Sequence, residues 1–185
     1  MLPGNNTVTR VSMRWDDFDG TGSPSPEPSR AQRDLWTQAV AGYISEVFVF
    51  GGDRSRMSTL GLYLPQTLCL EPIACDAYRY GIDGVARSDA ELVRIARQLA
   101  AGKRWIAEGT PSFWARPFMD RAQAIIWFDT VSSRLSRFRD ATWPDDAIAI
   151  LGRIAEADFP DKVLRVTSRS QIRQLRAVRA THASG

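Results

Sequence analysis

The sequence predicts one α/β domain with a mostly parallel sheet of five strands and helices on both faces. Two observations lead there. From residue 46 onward, short apolar runs alternate with stretches of helical spacing, the pattern of strands buried on both sides and helices packed across them. The first of those runs then ends in a glycine pair followed by a helix start. A chain of 185 residues, 44% of them hydrophobic, can bury the core of one ordinary domain and carry extra material at an end.

The runs that read as strands are 47–51, 71–75, 104–108, 124–129 and 163–167. Before them, residues 1–28 hold Gly4, Gly20, Gly22, Pro24, Pro26 and Pro28 among serines and acids, a composition that favours an arm or wrapping segment over regular structure. Ser29-x-x-Gln32 reads as a capping box opening an added helix with Leu35, Trp36, Ala39, Val40 and Tyr43 turned to a core. A second box, Ser88-x-x-Glu91, opens a helix carrying Leu92, Ile95 and Leu99, with Gly102 expected as its left-handed C-terminal residue. Further helices are expected over 132–139, with Leu135 and Phe138 inward, and from Pro144, with Ile148, Leu151 and Ile154 inward. The last starts at Ser168-x-x-Gln171 and buries Ile172 and Leu175. The domain thus spans 29–180, with 181–185 as a tail.

Composition narrows the chemistry. The net charge of +3 is small, and nearly all the basic residues are arginine, lysine standing only at Lys103 and Lys162. Arginine suits phosphate and carboxylate, but a GC-rich genome also produces this bias, so charge alone does not indicate nucleic acid. Cys69 and Cys75 lie in or near one strand with spacing that puts both on one face, which reads as core thiols and not as metal ligands. The sole histidine, His182, falls in the tail, so histidine catalysis and Ser/His/Asp or Cys/His arrangements are disfavoured. No apolar run approaches the ~18 residues of a membrane span, and the N-terminus lacks a basic segment followed by an apolar one. A soluble, cytoplasmic protein with no membrane partner is the expectation.

The chemistry-bearing segment is Val47-Phe48-Val49-Phe50-Gly51-Gly52-Asp53-Arg54-Ser55-Arg56-Met57-Ser58-Thr59, a strand, a turn and a helix start. In a phosphate-binding loop, G-x-x-x-x-G-K-[ST], backbone N–H groups wrap phosphates at a helix N-terminus, lysine meets the β/γ-phosphates and the hydroxyl meets magnesium. Gly51 takes the first glycine and Ser58 the hydroxyl position, but Arg56 stands at the second glycine and Met57 at the lysine. A side chain at the second glycine obstructs close backbone approach, and methionine cannot neutralise phosphate. Arg54 or Arg56 would have to supply the cation from a different place. The competing reading is an ordinary strand-to-helix turn.

Later segments keep a recognisable order: Cys75-Asp76-Ala77-Tyr78, the helix from Ser88 to Gly102, Lys103-Arg104-Trp105-Ile106-Ala107-Glu108-Gly109, Ala124-Ile125-Ile126-Trp127-Phe128-Asp129, an arginine-bearing stretch with Arg134, Arg137 and Arg139, and Val163-Leu164-Arg165-Val166-Thr167-Ser168. Over roughly 45–178 this order resembles small bacterial P-loop kinases, specifically the topology-modulation-protein branch related to the adenylate and shikimate kinases. The resemblance implies a three-layer P-loop NTPase-like fold, nucleotide at the C-terminal ends of the strands, ATP as donor and Mg2+ as counterion. It implies that Gly51, Gly52, Arg54, Ser55, Arg56, Ser58 and Thr59 line the phosphates, and that Ser58 and Glu108 serve the metal. Asp76 would polarise the acceptor or organise magnesium, and Arg134 and Arg137 would clamp the transferring phosphoryl group. Structural readings stand beside these: Asp76 as a turn cap, Glu108 as a loop acid, the lid arginines as a solvated helix face.

Two more features invite a ligand. Arg169, Arg173 and Arg176 recur at helical spacing, a stripe that fits phosphate, RNA or an acidic partner, or is simply solvated. The segment from Pro111 to Phe118 brings Phe113 and Trp114 to where such kinases bind the acceptor, so an aromatic acceptor would stack there unless these rings serve the core. Three functions remain open: a phosphotransferase acting on a small molecule, nucleoside, nucleotide or modified DNA base; a pseudokinase serving as a binding or assembly module through the N-terminal arm and the arginine-rich helix; and a nucleic-acid-binding protein.

Overall fold

The computed structural model of the chain describes residues 29–40, 44–51, 69–109, 113–129, 147–167 and 171. Its strands are β1 (Glu46–Gly51), β2 (Glu71–Ala74), β3 (Trp105–Glu108), β4 (Ala124–Phe128) and β5 (Val163–Val166). They form one all-parallel sheet in the order β2-β3-β1-β4-β5. The helices are α1 (Arg30–Val40), α2 (Asp89–Ala100), α3 (Arg116–Arg121) and α4 (Ala147–Asp158), with short 3₁₀ turns at Cys75–Tyr78 and Phe113–Ala115.

The layers follow from strand alternation. Val47 and Val49 of β1, Ile106 of β3, Ala124, Ile126 and Phe128 of β4, and Leu164 and Val166 of β5 share one face, where Leu35 and Ala39 of α1 pack. Phe48, Phe50, Trp105, Ile125, Trp127 and Val163 share the other, covered by Leu92, Ala96 and Ala100 of α2, Phe118 and Met119 of α3, and Ala155 of α4. The expected helix–sheet–helix sandwich is therefore present. Its second core is aromatic: Phe118 meets Trp105 edge-on at 5.4 Å and Trp114 at 6.4 Å, while Phe50 stacks on Trp127 at 6.3 Å. Each such pair contributes about 0.5–1.5 kcal/mol beyond the area it buries.

Both described capping boxes close. Gln32 N–H donates to Ser29 Oγ (3.1 Å) and Ser29 N–H to Gln32 Oε1 (2.9 Å). Ser88 and Glu91 make the same reciprocal pair at the start of α2. Near the last helix start, Gln171 Oε1 accepts from Thr167 N–H at 2.9 Å, while Ser168 lies outside the described residues.

Several expectations need correction. Gly102 is not left-handed; α2 ends through Gly102 N–H donating to Leu99 O, and the chain reverses at Arg104 (φ 59), whose carbonyl accepts from Glu71 N–H at 2.7 Å. Cys69 is exposed in a turn with φ 52, two residues before β2 begins, so strand alternation does not apply to it; Cys75 is buried as expected. On α2 the fully buried positions are Leu92, Ala96 and Ala100, with Ile95 and Leu99 only partly covered. On α4 they are Gly152 and Ala155, with Ile148 partly buried, while Ile154 faces solvent at 46% exposure. The cause is a notch: a Cβ on Gly152 would stand 2.1 Å from Trp127 Cε2, so the helix rotates this glycine onto the indole. The expected helix over 132–139, Pro144, Tyr43 and the residues Ile172 and Leu175 lie outside the described residues, as does the arm 1–28.

Candidate active site at the strand C-termini

Parallel strands deliver all their C-termini to one edge, where open α/β sheets hold their ligands. Here that edge carries Gly51 at the end of β1, the turn with Asp76 after β2, Glu108 at the end of β3, Asp129 after β4 and Thr167 after β5. Glu108 is in register with Ala74 on one side and Val49 on the other, so it stands between the exits of β2 and the central strand.

Asp76 and Glu108 are brought together. A Cβ on Gly109 would lie 2.6 Å from Cys75 Cβ and 3.5 Å from Asp76 N, so the exit of β3 is pressed against the turn that carries Asp76. Only glycine allows that approach. Burial first, then the Asp76 charge, pushes the Glu108 carboxyl above the ordinary carboxylate range. Its Oε2 atom is buried and has no hydrogen-bond partner among the described residues. Asp76 is more open, and its Oδ1 stands 3.4 Å from Arg79 Nε. Burial, reinforced by both carboxylates, pushes the Cys75 thiol far above its usual range, so it is an inert neighbour and not a nucleophile.

Past Asp76 the chain makes a small excursion closed by the Tyr80–Ala86 bridge. Arg87 Nη1 donates to the carbonyls of Tyr78 (2.6 Å) and Tyr80 (2.5 Å), and Gly81 N–H donates to Val85 O (2.8 Å). The excursion leaves Tyr80, Ile82 and Val85 exposed beside the edge.

Gly51, the first glycine of the loop pattern, has a packing reason of its own. A Cβ there would stand 2.5 Å from Phe128 Cβ and 2.6 Å from the Phe128 carbonyl oxygen of β4. Gly52, Arg54, Ser55, Arg56, Met57, Ser58 and Thr59 lie outside the described residues, as do Arg134, Arg137, Arg139, Trp143, Arg169, Arg173, Arg176 and His182. Of the expected acceptor segment, Trp114 (2% exposed) and Phe118 (0%) are core residues, so they cannot stack a ligand; the Phe113 side chain lies outside the described set.

One pair at this edge was not anticipated. Arg165 on β5 donates through Nε (2.7 Å) and Nη2 to Asp129 Oδ2, and its guanidinium lies over the Trp127 ring at 4.7 Å. Glu156 of α4 belongs to the same group: burial raises its carboxyl, the Arg165 charge opposes the rise and the Asp129 charge adds to it. The pair needs β4 and β5 to be neighbours, which no local signal in the sequence states.

Magnesium would require hard oxygen donors, typically one or two carboxylates together with substrate phosphates. Glu108, with its unpartnered buried oxygen, beside Asp76 fits that donor set. Among the described residues, no group of three or more His, Cys, Asp or Glu is placed to hold a metal by itself.

No family model and no curated protein matches the sequence. Among solved structures, the chain is similar to a gluconokinase from Sinorhizobium meliloti 1021 at 13% identity, over 72% of this chain and 90% of that one, with a TM-score of 0.46. The five-stranded all-parallel sheet and its flanking helices are themselves consistent with a P-loop kinase-like fold. No helix among the described residues is long and apolar enough to cross a membrane.

Proposed function

We propose that the chain is a nucleotide-dependent phosphotransferase that moves the γ-phosphoryl group of ATP to a small acceptor hydroxyl, the acceptor class including nucleosides, nucleotides and modified bases. The observation that carries this reading is the Asp76–Glu108 pair at the C-terminal edge of a parallel sheet, beside the exit of its central strand. Asp76, oriented by Arg79, is the group to take the acceptor proton. As the hydroxyl oxygen bonds to the γ-phosphorus, the bond from that phosphorus to the β–γ bridging oxygen breaks, and ADP leaves with the electron pair. Magnesium, when bound, neutralises phosphate charge; Glu108 and, by the resemblance, Ser58 are the residues to hold it. Arg54 or Arg56 stands in for the missing lysine, and Arg134 and Arg137 serve the transferring group. The roles of Arg134 and Arg137 rest on the resemblance, and that of Arg54 or Arg56 on the charge a guanidinium brings to a loop that departs from the family pattern.

A second reading draws on two observations. Arg56 and Met57 replace the second glycine and the lysine of the loop, and Gly51 is accounted for by its contact with Phe128. A pseudokinase that binds or assembles without turnover fits both.

The test is magnesium-dependent ATP turnover across a panel of hydroxyl acceptors, with Asp76→Asn alongside. A fall of about a hundredfold or more in kcat at unchanged ATP affinity supports the base role. Failure of the unaltered protein to turn over ATP with any acceptor would favour the pseudokinase.

A further inference from the structure

A cleft about 560 Å³ in volume lies between α2 and α3. One wall is a single face of α2 that presents Val93, Arg97 and Ala100; the other is α3, with Arg116, Pro117, Asp120 and Arg121. α2 ends at Ala100 just before β3 begins at Trp105, and α3 ends at Arg121 just before β4 begins at Ala124. The cleft arginines near these helix ends therefore stand toward the N-terminal edge of the sheet, away from Asp76 and Glu108.

The charges in this cleft are unequal. Arg116 is engaged by two carboxylates, Nε with Asp120 at 2.8 Å and Nη1 with Asp158 at 2.5 Å. Arg97 and Arg121 have no carboxylate partner among the described residues. The C-terminal carbonyls of α2 add a partial negative charge of about one half, which works against an anion without cancelling two guanidiniums. Val93, Ala101 and Pro117 supply apolar surface between the charged groups.

Two unengaged guanidiniums beside apolar surface select for shape as well as charge. Each can meet two oxygens of one group, and a phosphate dianion matches two positive charges where a monocarboxylate leaves one over. An apolar body on the same ligand would cover Val93, Ala101 and Pro117. We propose that the α2–α3 cleft binds a small phosphomonoester with an apolar body, at a site separate from the Asp76–Glu108 edge.

The experiment is an NMR titration of the full isotope-labelled chain with phenyl phosphate, and with inorganic phosphate in parallel. The expected result is saturable shifts at Arg97, Ala100 and Arg121, with phenyl phosphate several-fold tighter than inorganic phosphate. Arg97→Gln and Arg121→Gln should each weaken phenyl phosphate about tenfold. Both side chains are exposed, so the spectra of the variants should otherwise match the parent. Three results would overturn the proposal: no shift at millimolar phenyl phosphate, shifts confined to Gly51, Asp76 and Glu108, or unchanged affinity in both variants. Equal affinity for the two phosphates would overturn it as well, because the apolar body would then contribute nothing.

Discussion

Replacing Gly51 with alanine separates what this glycine does for the sheet from what it would do for a nucleotide. The added Cβ would meet Phe128 Cβ at 2.5 Å and the Phe128 carbonyl oxygen at 2.6 Å, roughly 1 Å inside ordinary contact. The carbonyl belongs to the backbone of β4 and cannot rotate away. β1 is the middle strand, paired with β3 on one side and β4 on the other, so moving either neighbour disturbs the ladder and both cores. Overpacking of this kind costs about 1–3 kcal/mol, and a backbone contact places Gly51→Ala near 3 kcal/mol. Urea unfolding followed by tryptophan fluorescence should show the midpoint falling by about 1–2 M with its slope unchanged. A Gly51→Ala protein within about 0.5 kcal/mol of the parent would refute the packing argument. If that protein also lost ATP binding, Gly51 would belong to the phosphate loop alone.

Three further substitutions probe other steps. Gly152→Ala drives a methyl into the buried Trp127 ring and should cost about 2–3 kcal/mol in the same urea assay, with a change in indole emission. Ser88→Ala removes one half of the box that starts α2 and should cost about 1 kcal/mol, a loss that Ser88→Asp largely avoids. Glu108→Gln bears on the carboxyl that burial and Asp76 push upward. A raised folded-state value means the unfolded chain binds fewer protons, so the parent loses stability as pH rises from the ordinary carboxylate range through the raised value. The Gln variant should lack that loss and match or exceed the parent at neutral pH by no more than about 1 kcal/mol, since the group is only half-buried. Equal destabilisation at acidic and neutral pH would contradict the assigned cause.

Strand positions were legible within a residue or so because runs such as Val47–Phe50 and Ile125–Phe128 are apolar on both faces, which only a sheet covered on both sides needs. The strand order was not, since β1 pairs with β3 and β4 and never with β2, a matter of contacts distant in sequence. The face of α4 was misread for a similar reason. Ile148, Leu151 and Ile154 follow helical spacing, but the notch at Gly152 is meaningful only once Trp127 is known to lie beneath it. α3 gave little signal, being six residues long with Pro117 in its first turn. At the candidate site, Asp76 and Glu108 could be named from the segment order, while their proximity depends on Gly109 resting against Cys75. The Asp129–Arg165 pair and the arginine cleft join elements whose adjacency only the fold supplies.

Calorimetric titration of the unaltered protein with magnesium-ATP bears most directly on the phosphotransferase reading. Saturable binding in the micromolar-to-millimolar range, weakened by Arg56→Ala or Ser58→Ala and insensitive to Arg97→Gln, is the predicted result. Heat indistinguishable from dilution at millimolar ATP, with binding gained only in an Arg56→Gly, Met57→Lys double variant, would contradict it and leave a fold that has kept its sheet without its nucleotide.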